Sequence, residues 1–333
     1  SLTSSSAPDL LNVYCLDFSA KMMSVFSDLK HVGGYLDEND LDGDGFSKFF
    51  TMMTRILDER KTLFAGTSYE DYVNYNGWTV PAILIVIDNY GSFHDKTGET
   101  YEANMMRIAK EGNSYGVYLL VSAGGIGMQE LPGRLAETFR TGVALEMQDS
   151  FAYADVLRVV RPPVLPETKV KGRGLMYCGE RILEFQTALA TRAEDGPERT
   201  ELLKKAVAAM NAAYTGPRAR AIPAIPDNPT REDFTSLPEY RQLLERPELM
   251  PAGYDFEFAD IYSLNLVENY VFLITGTKKS GKSVFMENLM LNSLDRGDEV
   301  VILEMGDSRF AQIAQEHALT RCTEAQEVYN FLS

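Results

Sequence analysis

Gly276, Gly281, Lys282 and Ser283 stand at the spacing G-x-x-x-x-G-K-S within TGTKKSGKS (275–283). Those residue types in that order suit a polyphosphate. The glycines let the chain turn tightly, so that backbone N–H groups from Gly276 through Thr277, Lys278, Lys279, Ser280 and Gly281 can aim at phosphate oxygens. A helix starting there adds the partial positive charge of its N-terminus. Lys282 is placed to reach the outer phosphates, and the Ser283 hydroxyl to hold Mg²⁺. ATP and Mg²⁺ are therefore the expected ligands. The competing reading is a Gly/Lys-rich surface turn. A second residue of interest is Asp88, at the end of PAILIVIDNY (81–90). A carboxylate ending a buried parallel strand is where such a fold holds its magnesium. The plainer alternative is a core strand ending in a turn Asp. No residue is assigned a catalytic role.

The elements that must position these groups follow from periodicity. The run 270–275 is apolar and β-branched, which predicts a buried strand. Residues 284–294 carry Phe285, Leu289 and Leu294 among helix formers, which predicts a helix after the loop. Upstream, the pattern predicts a strand over 12–18, a helix over 46–64, a strand over 82–88, a helix over 99–112 and a strand over 116–122. Strands alternating with helices imply an α/β fold: a parallel sheet covered by helices on both faces.

The chain also repeats itself. NVYCLDFSAKMMSVFSDLKHV (12–32) and EVVILEMGDSRFAQIAQEHAL (299–319) each read as a buried strand ending in an acid, a polar turn, and an amphipathic helix. Asp17 matches Glu304, Phe18 matches Met305 and Phe26 matches Ile313, at a constant offset of 287 (304 − 17). The expectation is two incomplete modules in tandem, the first read from after its phosphate loop and the second to a point soon after its own.

The order of LKHVGGYL (29–36), LDERKTLF (57–64), ILIVIDNY (83–90), AKEGNSYGVYLLVSA (109–123) and KGRGLMY (171–177) resembles the FtsK/SpoIIIE-type ATPase modules of type VII secretion systems. The EssC/YukB and EccC proteins of Gram-positive bacteria are the nearest in pattern. The resemblance covers roughly residues 10–190 and 250–333. It implies a P-loop NTPase fold of the RecA/FtsK kind, in tandem modules on a membrane-anchored, oligomeric parent chain. It implies a place on the cytoplasmic side of the cell membrane. The implied partners are neighbouring ATPase modules, membrane components of the secretion system, and small helical-hairpin proteins exported through a C-terminal signal. Active modules of this type place Glu after the strand Asp and follow the next strand with a polar sensor and an Arg. Here Asn89 follows Asp88, and the later stretch is SAGGIG (122–127). Binding of ATP without efficient turnover is thus the expectation for this chain. A catalytically silent recognition or scaffold module is the alternative, and an FtsK-like DNA translocase a more distant one.

Three divisions are expected: a first module over 1–195, a charged helix and Pro-rich linker over 196–250, and the front of the next module over 251–333. TGPRARAIPAIPDNP (215–229) cannot be helical and reads as extended. The 32 Lys and Arg against 48 Asp and Glu give a net charge of −16, which argues against a broad nucleic-acid surface. Cys15, Cys178 and Cys322 lie far apart in apolar contexts and read as buried thiols, not a disulfide or metal set. Asp40, Asp42, Asp44 and Gly45 begin like a calcium loop, but Thr51 stands where a bidentate Glu is needed. An acidic turn facing the 46–64 helix is the favoured reading. Lys171 and Arg173 are read as a tight turn over a phosphate contact. The Met pairs at 22–23, 52–53 and 105–106 are read as core filling over a partner surface.

Overall fold

A computed structural model of the chain describes residues 2–193, 195–304 and 310–332; Met305 of the repeat lies outside them. The chain divides into two compact units, Ser1–Ile222 and Pro223–Ser333.

The first unit opens with a single helical turn, α1 (Leu2–Ser5), and then forms β1 (Leu11–Asp17) and β2 (Val32–Asp37). Helices α2 (Gly45–Phe64) and α3 (Tyr69–Asn76) lead to β3 (Ala82–Asp88). Then come α4 (Tyr90–Thr97), α5 (Glu102–Glu111) and β4 (Val117–Val121). The four strands form one sheet in the order β2-β1-β3-β4, every pair parallel. Central β1 is buried along its whole length, as a parallel strand covered on both faces should be. Alternation sorts its side chains. Tyr14 and Leu16 join Ile83, Ile85 and Ile87 against α2 and α5. Leu11, Val13 and Cys15 point to the opposite face, where Val207 of a later helix packs.

Helix α2 presents Phe46, Phe49, Phe50, Met53, Leu57 and Phe64 at helical spacing, all buried. It stops at Ala65, whose φ of 50° is left-handed. Arg60, on the same face, is 5% exposed. Its guanidinium donates to the carbonyls of Pro81 (2.6 Å), Tyr115 (2.6 Å) and Gly116 (3.3 Å). It thus satisfies the carbonyls that precede β3 and β4, and burial depresses its pKa to about 10. The acidic turn before α2 is spent locally. Asp37 and Asp40 form a reciprocal cap, and Asp44 pairs with Lys48 at 2.7 Å.

Two sequence expectations change here. The helix expected after Phe18 is one 3-10 turn, Met22–Phe26, with no buried residue. Buried Asp17 accepts the N–H groups of Ser19 (3.2 Å) and Met23 (3.0 Å), which tightens the turn before a helix can run. The region expected as helix 99–112 is preceded by a further helix, α4, capped by Asn89.

The rest of the first unit holds α6 (Gly133–Ala136), β5 (Val143–Ala144), α7 (Ser150–Leu157), β6 (Arg173–Cys178), β7 (Arg181–Gln186) and α8 (Gly196–Ala213). Strands β5-β6-β7 make an antiparallel sheet. The favoured turn is confined to 171–172, where Gly172 has φ 77°; Arg173 already belongs to β6, held across to β7 by Gln186 (2.9 Å) and Glu184 (3.3 Å). Cys15 and Cys322 are buried, but Cys178 is exposed at the end of β6, contrary to expectation. It lies at the exposed end of β6, whose buried residues, Gly174 and Leu175, stand near its start. Met52, Met53 and Met105 are core, while Met22 is 60% exposed.

After α8 the chain is extended, and residues 214–222 are bound to the outer edge of β2. Ala219 N–H donates to Lys30 O (2.8 Å) and Ile222 N–H to Gly33 O (3.2 Å). The Tyr14 hydroxyl donates to Arg220 O at 2.6 Å. Glycine is required beneath it: a Cβ on Gly33 would lie 2.2 Å from Arg220 O.

The second unit contains α9 (Arg231–Thr235), α10 (Pro238–Leu244), an antiparallel hairpin of β8 (Leu249–Tyr254) and β9 (Ile261–Asn265), and α11 (Lys282–Arg296). Then follow β10 (Val301–Leu303), α12 (Ala311–Glu316), β11 (Thr320–Cys322) and α13 (Ala325–Leu332). Strands β10 and β11 are parallel, Val301 opposite Thr320; β1 and β2 are parallel, Val13 opposite Val32. Each unit thus holds a parallel strand pair, with partners 19 residues apart at Val13 (32 − 13) and 20 apart from Tyr14 onward (34 − 14) in the first, and 19 apart (320 − 301) in the second. Among the described residues no helix is long and apolar enough to cross a membrane.

Candidate functional site

The phosphate-loop candidate sits at the head of a 15-residue helix. Gly281 caps α11 with φ 89°, and Lys279 is also left-handed at 67°. These two reversals curl residues 276–281 ahead of the helix, and the Phe285 N–H closes the first turn on Gly281 O (2.9 Å). Ser280 N–H donates to Thr277 O at 3.3 Å. A Cβ on Gly276 would lie 2.4 Å from Ser280 Oγ, which can rotate away, so the glycine this curl needs is Gly281, at φ 89°. Lys282 Nζ turns back over the loop and donates to the carbonyls of Gly276 (2.8 Å) and Thr277 (2.7 Å). A phosphate oxygen, as a charged acceptor, outcompetes neutral carbonyls for that ammonium. The curl, the helix N-terminus, Lys282 and adjacent Ser283 fit a Mg²⁺–nucleotide polyphosphate.

The run 270–275 is not a strand. Tyr270, Val271 and Leu273 are 86%, 81% and 87% exposed. A strand exists through its ladder partners, and among the described residues none pairs with this run; β10 of the same unit pairs with β11.

Asp88 belongs to the first unit. The sheet register sets Asp17 opposite Asp88 on one side and opposite Asp37 on the other. Three carboxylates thus line the carboxyl end of the sheet, where ligands of open α/β sheets bind. Each is already engaged. Asp17 takes two backbone N–H groups and the Tyr35 hydroxyl (3.4 Å). Asp37 pairs with Lys21 at 3.0 Å and accepts from Asn39 N–H at 2.8 Å. Burial opposes ionisation of Asp37, but the Asn39 N–H and Lys21 outweigh it and hold the carboxyl below its usual range. Asp88 accepts from the Ser122 hydroxyl.

Ser122 is the residue the sequence reading passed over. It lies one step beyond Val121, which pairs with Ile87, so it faces Asp88 in register. The available signal was a first polar side chain directly after the apolar run of β4. Ser122 also receives the N–H of Asn89 at 2.9 Å. Asn89 itself is left-handed, φ 63°; its side chain accepts from Ser92 N–H (3.3 Å) and donates to Phe18 O (3.2 Å). Where active modules of the resembled type carry Glu, this chain has a helix cap. Among the described residues no group of three or more His, Cys, Asp and Glu side chains is arranged to hold a metal ion.

A parallel sheet flanked by helices, followed by a glycine-curled loop on a helix N-terminus, is the architecture of P-loop ATPase modules. Comparison with known proteins narrows this. The curated homologues of the chain are type VII secretion proteins of the EssC and EccC kind. EssC of Staphylococcus aureus strain MRSA252 is 25% identical over 315 residues, covering 93% of this chain and 20% of its own length. EccC of Thermomonospora curvata is 23% identical over 308 residues, covering 87% of this chain and 22% of its own. The chain therefore spans about a fifth of the length of these relatives. Among solved structures, EssC (ATPases 2 and 3) from Geobacillus thermodenitrificans matches the whole chain with a TM-score of 0.80 at 20% identity, over 62% of that structure. Thermomonospora curvata EccC (ATPases 2 and 3), in complex with a signal sequence peptide, matches 98% of the chain with a TM-score of 0.61 at 19% identity, over 58% of that structure. No family model matches the chain.

Proposed function

We propose that this chain is part of a type VII secretion ATPase that binds Mg·ATP at Gly276–Ser283 and turns it over poorly by itself. The observation that carries the reading is the loop: glycine-dependent curl, left-handed Lys279 and Gly281, and Lys282 poised over them at the head of α11. Similarity to EssC and EccC across nearly the whole chain supports the secretion context. In this reading 1–195 is a degenerate module, 196–250 joins it to the next, and 251–333 is the front of a nucleotide-binding module.

Poor turnover is supported by two features. In the first unit the position after Asp88 is a helix-capping Asn rather than a Glu. In the second, among the described residues, no strand ending in Asp or Glu is paired beside 271–275. Asp88 held by Ser122 is a retained but structural counterpart of a magnesium carboxylate. On this reading the parent protein works on the cytoplasmic side of the membrane, beside other ATPase modules and membrane components, and exports small helical proteins through a C-terminal signal. The relative solved with a signal sequence peptide supports that substrate class. The test is steady-state phosphate release by the purified chain. Release indistinguishable from a Lys282→Ala control is expected; sustained release well above that control would overturn the claim of poor turnover.

A further inference from the structure

The far end of the phosphate-loop helix is pinned by a polar cluster, built on buried Asn292 and Tyr240, that the nucleotide reading does not use. Asn292, in the penultimate turn of α11, is fully buried. Its side-chain N–H donates to Pro251 O at 2.8 Å. Its oxygen accepts from Arg231 (2.7 Å) and from the Tyr240 hydroxyl (3.0 Å). Those same two groups continue to Asp295, at 2.6 Å and 2.8 Å. Four residues after Asn292, Arg296 donates to Leu249 O at 2.7 Å.

The spacing is geometric. Four residues of helix rise about 6 Å, and two residues of strand about 7 Å. Asn292 and Arg296 on one face of α11 therefore match Leu249 and Pro251 on one edge of β8, while the other edge of β8 pairs with β9. Phe234 and Tyr240 complete the contact, ring edge to face at 5.5 Å, and Phe234 meets Tyr254 in the same way at 5.2 Å. The whole lead-in segment, α9 through β8, is thus tied to one helix at three polar points. A fully buried amide such as Asn292 costs free energy unless its partners are in place, so it tolerates little displacement.

We infer that the Arg231–Tyr240–Asn292–Asp295 cluster is a joint through which the lead-in segment senses nucleotide at the opposite end of α11. The inference rests on the proposed nucleotide binding at Gly276–Ser283. Ser283 and Asn292 are nine residues apart on one unbroken helix, about 14 Å. Nucleotide that reorders the loop and settles the helix N-terminus also settles its far end. The joint passes that restraint to β8 and to α9 and α10. Asn292 and Tyr240 are positioning residues here, since neither is placed to touch nucleotide.

Hydrogen exchange on the full chain, with and without Mg·ATP, tests this. In the unmodified chain Mg·ATP slows exchange in 276–290 and, by at least about fivefold, in 249–254. Asn292→Ala keeps the protection at the loop and loses it in 249–254. Tyr240→Phe, which preserves the ring packing and removes only the hydroxyl, reduces the protection in 249–254 and guards against a folding defect in Asn292→Ala. Loop protection with no change at 249–254, or variants that transmit as well as the unmodified chain, overturns the joint while leaving nucleotide binding intact. Absence of loop protection overturns the nucleotide reading, and the joint with it.

Discussion

At the residue scale, two side chains, Arg60 and Asn89, are each held by a geometry that few substitutes could reproduce. Arg60 is buried and donates to three carbonyls, of which Gly116 O also accepts the Ile83 N–H at 2.8 Å, while Pro81 O and Tyr115 O take the shorter Arg60 bonds. Replacing it with Met keeps much of the volume and removes the side-chain donor of Pro81 O and Tyr115 O, so a loss of about 1–3 kcal/mol is expected, read as a lower urea midpoint. Asn89 occupies a left-handed conformation and caps α4. Asn89→Val should destabilise by about 1–3 kcal/mol, whereas Asn89→Gly should cost a few tenths; thermal melts of the two variants check the contrast. The cysteines separate by exposure. Cys178 is exposed, while burial, then the nearby Asp17 charge, pushes the Cys15 thiol from 9.0 up to about 12. A thiol reagent at neutral pH should label Cys178 alone in the native chain, and Cys15 and Cys322 only after unfolding.

At the scale of elements, the β2 edge and the segment 214–222 are made for each other by Gly33 and Gly34. A side chain at 33 collides with the Arg220 carbonyl, and one at 34 with Ile222. Gly33→Ala should release 214–222 from the sheet edge, at about 1–3 kcal/mol of stability, and expose it to proteases; limited proteolysis with cleavage mapped to 214–222 reads this directly. Legibility in the sequence divides along the same line. Strands β1, β3 and β4 and helix α2 were readable because each buries a periodic apolar face in the sheet's own layers. The phosphate loop was readable because its glycines, Lys282 and Ser283 are fixed by local chemistry. What sequence missed depends on distant partners. The run 270–275 has strand composition but no ladder partner among the described residues. The helix expected after Phe18 is pre-empted by a buried Asp17 that bonds the turn. Ser122 matters only because parallel pairing sets it against Asp88, and Asn292 only because β8 folds beside α11.

At the scale of the molecule, each unit holds a parallel strand pair, β1 with β2 and β10 with β11. The buried hydroxyls and thiol also set an alkaline limit. Burial raises Tyr14, Tyr90 and Tyr240 from 10.0 to about 12, with Arg220 opposing at Tyr14 and Asp295 adding at Tyr240. In each case the folded state holds its proton more tightly than the unfolded chain. The associated stability is therefore complete below about pH 9 and declines as pH rises toward about 12. Urea midpoints at neutral pH and at about pH 11 should show the loss; an unchanged midpoint would contradict the burial of these groups. Any nucleotide-dependent role of the chain requires that the glycine-curled loop take nucleotide. A calorimetric titration of the full chain with Mg·ATP, beside Lys282→Ala, decides it. Micromolar binding that Lys282→Ala abolishes is the predicted result; no binding at millimolar Mg·ATP, or equal binding by both, would contradict it.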